Sequence, residues 1–108
     1  MAMTPEAKVK KKVAEQLRAL NAYYFYPVTG GYGKSGVPDI VGCYNGKFFG
    51  IECKAGKNTP TALQENELKR IMQAGGIATV TNEDTIHSLS YILNGLHEPN
   101  PDQLELDL

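Results

Sequence analysis

Cysteine and histidine are scarce in this 108-residue chain, two of each, and no apolar run is long enough to cross a membrane. Each shortage narrows what the protein can be. Cys43 and Cys53 fall on opposite faces of the hairpin derived below, so no disulfide joins them within it, as suits a reducing compartment. His87 and His97 stand far from both cysteines at no ligand-like spacing, which argues against zinc. Lysines 8, 10, 11 and 12 are not followed by the apolar stretch of a signal peptide. The chain is therefore expected to be intracellular, with no membrane partner. It has no internal repeats and no low-complexity segments, and its length suits one domain, residues 1–98, with 99–108 as a flexible acidic tail.

The net charge of -1 conceals a division. Residues 1–60 carry nine Lys and Arg against Glu6, Glu15, Asp39 and Glu52, a balance of +5; residues 61–108 carry two against eight acids, a balance of -6. A polyanion would approach the first half and be repelled by the second, although lysine-rich helix faces are commonly just solvated.

Thr4-Pro5-Glu6 reads as a helix start, with Val9, Val13, Leu17 and Leu20 at helical spacing to about Asn21. Tyr23 to Val28 reads as an aromatic strand, and residues 29–36, with four glycines, as a loop open to a ligand. Asp39 to Tyr44 and Lys47 to Lys54 are nearly continuous apolar runs, as expected of central strands covered on both faces. Thr59-Pro60 repeats the cap-then-proline signal for a second helix ending near Gly75-Gly76. Ile77 to Thr81 is a last strand, and a third helix begins at Asn82 or Glu83 with Ile86, Leu89, Ile92, Leu93 and Leu96 on its apolar side. The order α-β-β-β-α-β-α implies an α/β domain around a mixed central sheet flanked by helices.

Asn45-Gly46 between the two central runs is a strong hairpin signal. With those two residues as the loop, Tyr44 faces Lys47, and counting back along both strands brings Asp39 opposite Glu52. Cβ atoms so opposed are roughly 4.5–5.5 Å apart and like charges there repel, so something positive is expected between them. Strand alternation puts Lys54 on the same face as Glu52, roughly 6.6 Å further along, while Cys53 points away. Asp39, Glu52 and the Cys53 main-chain carbonyl would offer oxygen ligands only, the set preferred by Mg²⁺ or Mn²⁺. The bland alternative is that Lys54 neutralises the acids in a structural ion pair.

Gly36-Val37-Pro38-Asp39 with Glu52-Cys53-Lys54 resembles the PD-(D/E)xK nuclease superfamily, in the form of the virus-type replication-repair nuclease domain, VRR-NUC. The resemblance spans most of residues 4–81. It implies a restriction-endonuclease-like core, a metal held by the acidic pair, a lysine that assists the attacking water or the scissile phosphate, a further glutamate from the first helix, and a glutamine after the Glu-x-Lys strand. Asp39, Glu52 and Lys54 thereby become candidate catalytic residues.

Two glutamates could fill the helical role. At roughly 100° per residue, Glu6 falls within the fan of Val9, Val13, Leu17 and Leu20, and Glu15 falls on the solvent side. Glu6 is preferred as a metal residue, acting through water, although an acid in a first turn also suits the helix dipole. Gln64 shares a helical face with Leu68, Ile71 and Gly75, ten residues after Lys54, where its amide could hold a ligand, a water or a phosphate oxygen. It joins the candidate catalytic set. Tyr32, Lys34, Ser35 and Lys57 are candidate contacts to a DNA backbone.

The function implied is a Mg²⁺- or Mn²⁺-dependent endodeoxyribonuclease. Stand-alone proteins resembling this chain act as homodimers on branched DNA, notably four-way (Holliday) junctions, and larger relatives act on flaps. The leading expectation is a Holliday-junction resolvase-like homodimer, intracellular and in the host cytoplasm if the source is a phage. A flap nuclease and a non-catalytic DNA-binding accessory module remain the alternatives.

Overall fold

Thr4 caps the first helix as its sequence implies: its hydroxyl accepts the Ala7 N–H at 3.1 Å, and α1 runs Pro5–Ala19. In the computed structural model, residues 3–28 and 35–95 are described. After α1 the chain reverses at Asn21, whose φ of 60° is left-handed. It then forms β1, Tyr23–Phe25, β2, Ile40–Tyr44, and β3, Lys47–Cys53. Helix α2, Ala62–Gln73, carries the chain to β4, Ile77–Thr81, which lies parallel to β3, while β2 runs antiparallel to both β1 and β3. The result is a mixed α/β fold on a four-stranded sheet of order β1-β2-β3-β4.

The β2–β3 turn is the expected two-residue reversal. Asn45 and Gly46 have φ of 52° and 79°, the pair of positive values a type I′ turn demands. Tyr44 pairs with Lys47, and the register continues to Ile40 with Ile51.

Elsewhere the boundaries move for identifiable reasons. The aromatic strand stops at Phe25, two residues before Pro27, which has no N–H for a ladder. Helix α2 is capped by Thr61, and the Thr59-Pro60 pair lies outside it. Thr61 Oγ1 accepts the Gln64 N–H at 3.2 Å while Gln64 Oε1 accepts the Thr61 N–H at 2.9 Å, a reciprocal capping box that Thr59 could not build. The third helix is delayed. Asn82 Oδ1 accepts the main-chain N–H groups of Asp84 and Thr85, so the helix is replaced by a turn, a 3₁₀ segment at Ile86–Ser88 and a five-residue α3, Leu89–Leu93. Leu96 and the tail 99–108 lie outside the described residues.

Alternation along β3 separates two environments. Phe49, Ile51 and Cys53, with Ile40 of β2, form one core with Val9, Val13 and Leu17 of α1 and Leu89 and Leu93 of α3. Gly50 and Glu52 face the other way, toward α2, where Gly50 lies against Ile71 and Pro38. That second face is only half covered, contrary to the expectation of burial on both sides. Helix α2 packs on β3 and β4 and leaves Tyr23, Phe25 and Phe48 exposed at 70%, 48% and 46%. These three share the face because Tyr23 pairs with Cys43, Cys43 with Phe48, and Phe25 with Val41.

Candidate metal centre

The Gly-Val-Pro-Asp segment owes its spacing to what lies beneath it. Gly36 has φ of 81°, and a Cβ there would come within 2.6–2.9 Å of the Leu63 and Gln64 backbone, so only glycine lets the chain rest on the first turn of α2. Pro38 is buried above Gly50. Asp39 is thereby delivered to the C-terminal end of β3, one step before β2 begins.

The β2–β3 ladder ends at the Ile40–Ile51 pair, one residue short of Asp39 and Glu52, whose carboxyl groups interact at this end of the sheet. Beyond Ile51 a side chain replaces the missing strand: Cys53 N–H donates to Asp39 Oδ2 at 2.8 Å. The other Asp39 oxygen, Oδ1, lies 3.7 Å from Lys10 Nζ.

Glu52 is 1% exposed. Its Oε1 accepts Gln64 Nε2 at 3.3 Å, and its Oε2 is buried with no hydrogen-bond donor among the described residues. Burial is the main cause that pushes the Glu52 carboxyl up to about 8, and the facing Asp39 adds to it; Lys54 works in the opposite direction and Glu6 slightly reinforces the rise. A buried carboxylate oxygen with nothing to bind, facing a second carboxylate, is an oxygen-only receptor for a cation or a proton.

Asp39, Glu52, Lys54, Gln64 and the main chain of Cys53 thus meet at one end of the sheet. Lys54 donates its main-chain N–H to Thr81 O at 3.0 Å and is half-buried, and among the described residues it makes no ion pair with either acid. Asp39 pairs with Lys10 instead. The Cys53 thiol points into the core and is pushed up to about 12, chiefly by burial, so it is an inert packing group. Glu6 is half-buried and close enough to act on Glu52 through its charge, yet no group of three His, Cys, Asp or Glu side chains gathers for a metal among the described residues. Two carboxylates nevertheless suffice for Mg²⁺ or Mn²⁺, which keep several positions for water and phosphate oxygens. Ser35 and Lys57 are exposed, and Tyr32 and Lys34 lie outside the described residues.

Lys10 and Thr61 were the residues missed in the sequence. Lys10 stands one helical turn after Glu6 on the same flank, a spacing that would have found it. Thr61-Ala62-Leu63-Gln64 fits the Ser/Thr-x-x-Glu/Gln signature that Thr59-Pro60 overshadowed. Gln64 consequently has two jobs, closing the α2 cap and holding Glu52. Replacing it with alanine removes both, and Gln64→Ala should lose about 1–3 kcal/mol in urea unfolding. An unchanged midpoint would show that neither bond matters.

No family model matches the chain, and no curated protein matches it.

Proposed function

We propose that this protein is a divalent-metal-dependent endodeoxyribonuclease with a restriction-endonuclease-like core of the PD-(D/E)xK type, acting on branched DNA in the manner of a Holliday-junction resolvase. The observation that carries the reading is the unpartnered, buried Glu52 Oε2 facing Asp39 across the hairpin. Two carboxyl groups facing each other in a buried site coexist only by keeping a proton or taking up a cation, and the raised Glu52 carboxyl is the mark of that pairing.

Asp39 and Glu52, with the Cys53 carbonyl, would hold Mg²⁺ or Mn²⁺, which when bound supplies a charge that activates water and stabilises the scissile phosphate. Asp39 is fixed for this by the Cys53 N–H and Glu52 by the Gln64 amide. Lys54, one strand repeat beyond Glu52, sets its ammonium toward the same side, where it orients the nucleophile or offsets charge developing on the phosphate. Glu6 adds negative charge from α1. Ser35 and Lys57, with Tyr32 and Lys34, would meet neighbouring phosphates.

Symmetric cutting of two strands requires two sites related by a two-fold axis. The apolar residues Leu89 and Leu93 of α3 are taken up by the core, which leaves the open aromatic face of Tyr23, Phe25 and Phe48 as the contact for a second copy.

The test is to offer a labelled four-way junction, a flap, a duplex and a single strand, each with Mg²⁺, Mn²⁺ or EDTA, and to measure protein copies per junction by sedimentation. Nicking of the junction by two copies, abolished by EDTA, is expected. Preference for the flap by a single copy would move the assignment to a flap nuclease. Binding without cleavage under every metal would make the protein an accessory module and end the enzymatic reading.

A further inference from the structure

Asp39 presents two oxygens in different circumstances. Oδ2 is fixed by a 2.8 Å bond from the Cys53 N–H. Among the described residues the cation near Oδ1 is Lys10 Nζ, at 3.7 Å, beyond hydrogen-bond length, and the Asp39 and Lys10 side chains are 20% and 38% exposed. A solvated pair of this kind is worth at most about fivefold in an equilibrium, so it is readily exchanged.

Its location makes the exchange consequential. Among the described residues, Asp39 Oδ1 and Glu52 Oε2 are the two carboxyl oxygens of the facing pair that take neither a main-chain N–H nor an amide N–H. A divalent ion held by the two acids would compete with the nearby ammonium for the Asp39 carboxylate, since the two cations repel each other. Lys10 has a flexible stem and a position on α1 among exposed Lys8, Lys11 and Lys12. Once displaced, its ammonium would join a run of positive charge suited to a polyanion.

We propose that Lys10 is an exchangeable counter-ion: it pairs with Asp39 in the absence of a divalent ion and, were an ion held by Asp39 and Glu52, would turn to a phosphate of the bound DNA. Ion entry is thereby coupled to an added backbone contact, and Lys10 acts as a positioning residue for both. This deepens the nuclease reading and rests on it.

Two titrations of the full chain test the coupling. Lys10→Met keeps the length of the stem and removes the charge, with Lys10→Gln as a second variant should the first fold poorly. Mn²⁺ titrated calorimetrically into the DNA-free protein should bind Lys10→Met about two- to fivefold more tightly than wild type, because the competing ammonium is gone. A lysine that merely braced the fold would give weaker binding on removal. The salt dependence of four-way-junction binding should fall in slope by about one in Ca²⁺ for either variant and stay unchanged in EDTA. Unchanged or weaker Mn²⁺ affinity, or an equal loss of slope in EDTA, would overturn the exchange and leave the nuclease reading standing. Wild-type protein that binds no Mn²⁺ would overturn both.

Discussion

Glu52→Gln should fold, lose the pH dependence of stability that Glu52 gives the wild type and, on the nuclease reading, cleave far more slowly. The pH behaviour follows from the sign of the shift. In the unfolded chain the Glu52 carboxyl ionises near 4.5, and in the folded chain near 8, so between these values the native state keeps a proton that the unfolded state has released. Stability is then complete below about pH 4.5 and is lost as pH rises toward 8, by an amount on the order of a few kcal/mol. Glutamine at this position has nothing to ionise. Urea unfolding in EDTA from pH 4 to 9 should fall for wild type and run level for Glu52→Gln, and parallel curves would show that this carboxyl is not strained by its burial. Activity separates the second role. Glutamine can still accept the Gln64 amide but supplies no charge opposite Asp39, so cleavage should drop by a factor of about 10³ or more, with most junction affinity intact. Retained cleavage by this variant would remove Glu52 from the chemistry.

Gly42→Ala should lose about 3 kcal/mol or more, a large fraction of a small domain's stability. Gly42 pairs with Tyr24 in β1 and with Phe49 in β3. A Cβ at this position would land on the Tyr23 carbonyl oxygen, 2.7 Å from Phe49 Cζ and 2.8 Å from Tyr24 Cα. Two of those three atoms belong to the backbone and can move only if β1 leaves the sheet. Gly46→Ala provides the contrast: with φ of 79° and open space around it, it should lose only about 1 kcal/mol from its left-handed conformation. Equal urea midpoints for the two variants would mean that β1 does not approach β2 as closely as described. Loss of β1 would also remove Tyr23 and Phe25 from the open face, so junction stoichiometry should fall together with stability.

Local signals were legible where one short range of chain contains the whole cause. Thr4-Pro5 starts α1 because a hydroxyl and a proline act within a single turn. Asn45-Gly46 sets the β2–β3 register because both residues tolerate positive φ, and that register runs to the Ile40–Ile51 pair, one residue short of Asp39 and Glu52. Signals that compete locally were harder to rank. Thr59-Pro60 and Thr61 each offer a cap, and the choice falls to Thr61 because Gln64 answers it from the third helical position. Asn82 similarly diverts main-chain N–H groups that a continuous third helix would need. The exposure of Phe48 and Cys43 was illegible in the apolar run, since an apolar residue carries no mark of whether a helix will cover it.

What the sequence determined by itself is the order of elements, the hairpin and the opposition of two acids across it, all consequences of turn geometry and period-two alternation. Only the tertiary structure decided what surrounds those acids. Gln64 reaches Glu52 because Gly36 allows the chain to lie on α2, and Lys10 reaches Asp39 because α1 docks its apolar fan on β3. Burial, which raises the Glu52 carboxyl and leaves one of its oxygens bare, belongs to the packed molecule, because desolvation exists only once distant segments have excluded the water.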